Sequence, residues 1–146
     1  MTTIAFDGHS LAADRQVSSD GALYRHSIKL HHVPGGVFAC AGSVSQTHKF
    51  LRWYKAGMKS EPPVLDCFDA ISLVKGKVSE WEGSDEIPSD NQKLAIGSGM
   101  VWAMAAMDFG MSAREAVTYA ATRDNQTGGT VDVYLPRREP ATKKKK

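Results

Sequence analysis

Thr2 combines on one residue, once Met1 has been removed, the two groups an acyl-transfer reaction needs: a hydroxyl nucleophile and a free α-amine. Cells usually trim an initiator Met that precedes a residue as small as Thr. An α-amine titrates near ~7.7–8.0, so it can take up the hydroxyl proton at neutral pH. A threonine activated by its own amine is one solution to the weakness of a hydroxyl nucleophile. A Met-Thr start is common, however, and in most chains means nothing. The other chemistry-bearing residues point elsewhere less firmly. His31-His32 invites a metal, but adjacent strand residues face opposite ways and cannot easily chelate one ion. His9 is a turn residue, and His26 and His48 have no partner at metal spacing, so no metal is expected. Gly97-Ser98-Gly99 lacks the Lys-Ser/Thr ending of a phosphate loop, so neither nucleotide nor cofactor is indicated. Cys40 and Cys67 form no short-spaced motif and read as buried thiols in a reducing compartment. Trp53, Trp81 and Trp102 are scattered, as core or interface anchors are.

Periodicity supplies the elements that would carry Thr2. Thr3 to Phe6 and Ser10 to Ala13 are short strands, and Asp7-Gly8-His9 between them is a hairpin signal. That hairpin sets Thr2 nearly opposite Asp14. Tyr24 to Val33 and Val37 to Ala41 form a second pair around Pro34-Gly35-Gly36, and the unbroken apolar run Val37–Ala41 predicts a strand covered on both faces. Thr47, Phe50, Leu51, Tyr54 and Met58 recur at three- and four-residue steps, giving one helical stripe. Val64 to Ala70 allows a helical turn or two at most. Ala70 to Lys75 and Lys77 to Trp81 read as a hairpin across Gly76, and Gly83 to Asp90 as a polar loop. Val101 to Met107 is helical. Ser112-Ala113-Arg114-Glu115 is a capping box opening a helix whose small residues Ala113, Ala116, Val117, Ala120 and Ala121 share a face. Thr130 to Leu135 alternates as a last strand.

Several segments, in order, resemble the proteasome β-subunit and HslV group of N-terminal nucleophile hydrolases over residues 2 to about 135. Thr2-Thr3-Ile4 is similar to the nucleophile end. Ala12-Ala13-Asp14-Arg15-Gln16-Val17-Ser18 resembles the second-strand signature, and Ile28-Lys29-Leu30 sits where the group carries a lysine. Ala39-Cys40-Ala41-Gly42-Ser43 resembles the Ala-Gly turn of the oxyanion hole. Ala95-Ile96-Gly97-Ser98-Gly99 and Arg123-Asp124-Asn125-Gln126-Thr127-Gly128-Gly129 are similar to the remaining motifs. The resemblance implies an α+β fold, a four-layer αββα sandwich of two antiparallel sheets flanked by helices. The group's first hairpin is a few residues longer, and its second helix has no full counterpart here.

The resemblance also implies roles. Thr2 Oγ attacks a carbonyl carbon and forms an ester. Lys29 stands near Thr2 as a charge favouring the alkoxide and tuning the amine; its plainer reading is a solvated strand face. Asp14 pairs with Lys29, or is simply a strand-end Asp. Gly42 offers its N–H to the oxyanion, where losing one donor typically costs ~2.7–4 kcal/mol; it also reads as a strand-to-helix turn needing positive φ. Ser98 hydrogen-bonds the Thr2 amine and shuttles its proton, or is a plain helix N-cap. Asp124 and Thr127 complete the polar cluster, Thr127 standing where the group most often has Ser. The segments Ser18–Gly21 and Ser43–Gln46 line the specificity pocket by the same resemblance.

A chain of 146 residues can bury a core of its own. No apolar run of about 18 residues spans a membrane, and no basic-then-apolar start marks a secretion signal, so a cytoplasmic location is expected. The net charge of +2 owes four positives to Lys143–Lys146; without them 14 basic residues face 16 acidic ones, a balance of −2. The body is therefore no nucleic-acid surface. The expected organisation is one domain over residues 1–136 and a basic, solvated tail over 137–146. The activity expected is a threonine-type amide hydrolase, a peptidase acting on peptide or unfolded protein without cofactor. It would assemble as a homo-oligomer, in the group's manner a ring, with an ATP-dependent unfoldase as a further partner. Two alternatives stand beside it: a non-catalytic assembly subunit with this fold, and a hydrolase of small amides.

Overall fold

Asp7 organises the first turn. Its carboxylate accepts from the His9 N–H (2.8 Å), the Ser10 N–H (2.7 Å) and the Ser10 hydroxyl (2.8 Å), while Gly8 takes the positive φ of 99°. That local closure is what Asp and Gly do in turns. It folds β1 (Thr3–Phe6) onto β2 (Leu11–Ala13), with Ile4 opposite Ala13 and Phe6 opposite Leu11. The computed structural model describes residues 2–90 and 92–136; the tail expected over 137–146 lies outside the described residues. β10 (Leu94–Gly97) pairs with the other edge of β1, and β11 (Asp132–Tyr134) with the other edge of β2, giving the antiparallel order β10-β1-β2-β11. Thr2 thus leads directly into an inner strand.

The second sheet runs β5 (Leu30–Val33), β6 (Gly36–Gly42), β7 (Phe68–Val74), β8 (Lys77–Glu82) and β9 (Asp85–Pro88), all antiparallel. β6 is buried on both faces as its apolar run predicts. Val37, Ala39 and Ala41 point between the sheets, where they meet Ile4, Phe6, Leu11, Ile71 and Ile96; Phe38 and Cys40 point outward beneath α1 (Val44–Lys55) with Phe50, Phe68 and Trp81. On the opposite side α2 (Met100–Asp108) and α3 (Ala113–Arg123) cover the first sheet through Ala5, Ala12, Ala103, Ala116 and Ala120. The layers are helix, sheet, sheet, helices: the αββα sandwich. Ser112 and Glu115 make both capping-box bonds at α3, at 3.2 and 3.1 Å. The Ala113 N–H also donates to Asp7 (2.8 Å), tying that helix to the first hairpin.

Some elements differ from the sequence expectation. Tyr24 to Val33 is not one strand. β3 (Val17–Ser19) and β4 (Ala22–Tyr24) form a separate exposed hairpin around Asp20 (φ 49°) and Gly21 (φ 81°), and the chain crosses to β5 without regular structure. Asp-Gly is again the hairpin signal, but its flanking strands are only three residues each and solvent-facing, so they show no alternation of period two. Gly83 to Asp90 holds the edge strand β9 rather than only a loop. A solvent-exposed edge needs no apolar alternation, and it tolerates Pro88 at its last position. No helix forms over Val64–Ala70; Phe68–Ala70 already belongs to β7. Met58 lies past the Ala56 cap of α1, in positive φ, and leaves the stripe. Of the two thiols Cys40 is buried, but Cys67 is exposed, so the expectation of two buried thiols fails at Cys67.

Candidate active site

Thr2 is buried at the start of β1, and its carbonyl lies against Gly97 at the end of β10. A Cβ at Gly97 would run into the Thr2 carbonyl oxygen, and the backbone there has φ +95°. Gly is the residue that accepts both conditions. On the other side Thr2 opens onto two cavities. One, of about 200 Å³, is lined by Thr2, Lys29, Gly42, His31, Thr47 and His48 among others. The second, of about 520 Å³, is lined by Thr2, Gly42, Gly97 and the chain from Leu65 to Asp69. Gly42 belongs to both. It ends β6 at φ +104°, and a Cβ there would meet the Cys67 carbonyl, which already accepts the Ser43 N–H at 2.8 Å. The turn therefore requires Gly, and Ser43 then caps α1 through the Gln46 N–H.

Behind Thr2 lies a buried ion pair. Lys29 Nζ donates to Asp14 Oδ1 (2.7 Å) and to the Gln16 carbonyl (2.6 Å), with both side chains excluded from solvent. Asp14 Oδ1 also accepts the Thr3 N–H (3.1 Å), and its Oδ2 accepts the N–H groups of Gly128 (3.0 Å) and Gln16 (3.3 Å). Burial pushes the Lys29 ammonium below the ordinary lysine range, against the opposing pull of Asp14. A lysine needs such bonds when taken out of water, because an unpaired buried charge is costly.

A second polar chain crosses to α3. Thr127 Oγ1 donates to Asp124 Oδ2 (2.6 Å), and Ser98 Oγ donates to the same oxygen (2.6 Å). Thr3 Oγ1 and Thr127 Oγ1 are 2.6 Å apart. Each hydroxyl has one hydrogen. Since Thr127 gives its own to Asp124, Thr3 is the donor to Thr127. Likewise the short bond to Asp124 claims the Ser98 hydrogen, and the 3.5 Å approach of Ser98 Oγ to the Thr2 carbonyl is a contact rather than a strong bond. Burial raises the Asp124 carboxyl, but the bonds from Ser98, Thr127 and the Gln126 N–H outweigh it and leave it below the usual carboxylate range. Thr3 joins the two networks, its N–H on Asp14 and its hydroxyl on Thr127.

All seven residues singled out from the sequence meet around the start of β1. Thr2, Lys29 and Gly42 share a cavity; Asp14 holds Lys29; Ser98, Asp124 and Thr127 form a chain that reaches Thr2 at its carbonyl. Ser98 is not the helix N-cap, since Gly99 holds that position without a side-chain bond. Three contributors were not assigned a role from the sequence: Thr3, the bridge; Gln16, whose carbonyl receives Lys29; and His31, on the cavity wall. A local signal existed for Gln16, two residues after Asp14. The others depend on pairings between residues far apart in the chain. Of the segments expected to line a pocket, Val44 does so, while Ser18–Gly21 makes the separate hairpin. Among the described residues, no three metal-ligating side chains cluster, and no helix is long and apolar enough to cross a membrane. A cation beside a hydroxyl favours its alkoxide, and hydroxyls chained to a carboxylate can relay a proton by rotation.

No family model and no curated protein matches the chain. Solved structures do match its fold. HslV from Trypanosoma brucei superposes with a TM-score of 0.67 at 20% identity, covering 92% of this chain and 97% of that one. BPH from Thiobacillus denitrificans superposes with a TM-score of 0.70 at 18% identity, covering 94% and 99%. The same BPH in complex with epoxomicin gives 0.69 at 16%, covering 95% and 99%. The chain thus has the fold of HslV and BPH over nearly its whole described length.

Proposed function

We propose that this chain is an N-terminal threonine hydrolase that cleaves peptide bonds. The observation that carries the reading is Thr2 at the junction of two cavities, backed by the buried Lys29–Asp14 pair. The fold shared with HslV, and with a BPH that forms a complex with epoxomicin, supports it. In this reading loss of Met1 frees the Thr2 amine. The amine takes the Thr2 hydroxyl proton as Oγ attacks the substrate carbonyl carbon. Lys29 lowers the cost of the developing alkoxide, and the Gly42 N–H accommodates the oxyanion of the tetrahedral intermediate. The protonated amine passes its proton to the departing amine as the C–N bond breaks, leaving an ester on Thr2. Water, activated by the same amine, then releases the acid product. Ser98, Asp124 and Thr127 hold the protonated amine in place. The reaction uses no metal or cofactor.

Intact mass tests this directly. The purified chain should lack Met1 and gain one adduct per chain from a peptidyl epoxyketone, which needs both the hydroxyl and the free amine. Thr2→Ala should keep the fold and lose both the adduct and peptide turnover. Met1 retained with no adduct would overturn the reading and leave an assembly subunit. Turnover of small amides but no peptide would relocate the chain to small-amide hydrolysis. The same reading places the protein in the cytoplasm as a homo-oligomer, in ring form, with an ATP-dependent unfoldase delivering unfolded substrate.

A further inference from the structure

The two cavities that meet at Thr2 carry opposite chemistry. The larger is walled by carboxylates, Asp66, Asp69, Glu82 and Asp85, with Asp69 and Glu82 directly opposed across β7 and β8. The smaller, about 200 Å³, has no carboxylate in its lining. His31 of β5 and His48 of α1 stand in its wall with Thr47, and Val17, Ile28 and Val44 supply aliphatic surface. Asp14 is the carboxylate nearest this cavity, and it lies behind Lys29 as that lysine's partner. Lys29 is already held by Asp14, and Lys55 of α1 and His32 act on His31 as further positive neighbours. The Cys40 thiol of β6 is pushed far up by burial and stays uncharged.

We propose that the smaller cavity selects an acidic side chain, glutamate before aspartate, on the substrate residue whose carbonyl Thr2 attacks. This rests on the Thr2 reading above. Both cavities border Thr2, so a side chain next to the attacked carbonyl can reach either, and the smaller one is the one whose lining holds no carboxylate. The lining offers both surfaces a glutamate needs: aliphatic Val17 and Val44 for its methylenes and the imidazoles of His31 and His48 for its carboxylate. The carboxylate-walled cavity repels the same side chain, so selectivity comes from repulsion on one side as well as attraction on the other. Burial and the nearby positive groups hold the His31 imidazolium below the ordinary histidine range. The sign follows. Attraction of the His31 imidazolium for a carboxylate is present at pH below its lowered value and is lost as pH rises through it, while glutamate itself stays ionised down to about pH 4.3.

Two acetylated tripeptide epoxyketones differing only in Glu or Gln at the terminal residue provide the test. The Glu/Gln ratio of Thr2 labelling rates should rise about tenfold, the equivalent of one pKa unit, between pH 8 and pH 5.5. His48→Glu, a change at an exposed position that leaves folding alone, should reverse the preference to Gln. A ratio near one at both pH values, or an unchanged ratio in His48→Glu, overturns the proposal even when Thr2 labels. A second measurement does not need the nucleophile. In Thr2→Ala, N-acetyl-glutamate methylamide should move the His31 and His48 imidazole NMR signals at pH 5.5, and N-acetyl-glutamine methylamide should not. Equal shifts, or none, with the two probes overturn the proposal. Selective shifts together with no labelling of the unmodified chain would keep the acid-selective cavity and remove the Thr2 chemistry.

Discussion

Each oxygen of the Asp14 carboxylate accepts two hydrogen bonds, Oδ1 from Thr3 and Lys29, Oδ2 from Gln16 and Gly128. Asp14→Asn places an amide against that ring of donors and leaves Lys29 unpaired. Denaturant unfolding should show a loss of about 3–5 kcal/mol, the usual result of removing one partner of a buried pair. Ser98 is the contrasting case. Ser98→Ala removes one hydrogen bond to Asp124 and should cost only about 1 kcal/mol, yet slow Thr2 acylation by about a hundredfold, the lower end for a lost proton-transfer group. Asp124 adds a pH dependence. Its folded carboxyl sits below the ordinary range, so its contribution is complete above the unfolded value near 3.8 and disappears as pH falls through the lower, folded value. Thr127→Val removes one of the bonds that hold it low. The acid-unfolding midpoint followed by circular dichroism should therefore move to higher pH.

At the scale of elements, β6 carries the geometry of the site. It is buried on both faces and ends in the Gly42 turn, so its register with β7 decides where Gly42 meets Thr2. Gly42→Ala must hold positive φ and clear the Cys67 carbonyl. It should destabilise by at least about 2 kcal/mol, visible as a lower melting temperature. The two cysteines report on the same strands. Cys40 lies within β6 under α1, while Cys67 stands exposed just before β7. A maleimide should therefore add once per chain, at Cys67, in the folded protein, and twice after unfolding. Two fast additions without denaturant would contradict the packing of α1 on β6.

At the scale of the molecule, α2 leaves Val101, Trp102 and Met100 exposed, and Phe109 beyond its end is 91% exposed. Apolar side chains gathered in one region of a surface usually mark contact with another chain. The full protein should sediment as an oligomer; a monomer at micromolar concentration would contradict assembly and with it a ring enclosing the Thr2 sites.

Local order settled a large part of this. The Asp7-Gly8 hairpin, the Ser112–Glu115 capping box, the doubly buried run Val37–Ala41 and the Thr47–Tyr54 stripe were legible because turn chemistry and periodicity are written in adjacent residues. Ordered motifs singled out the seven residues that the fold gathers around Thr2. The β3–β4 hairpin and the edge strand β9 were not legible, since three- and four-residue strands with solvent on most sides carry no buried-face alternation. Only the tertiary structure decided that Thr3 joins two hydrogen-bond networks, that Gly97 must yield space to the Thr2 carbonyl, and that His31 and His48 face one cavity. Each of those relations joins residues distant in sequence, and it exists only once two sheets and the helix over β6 have been packed together.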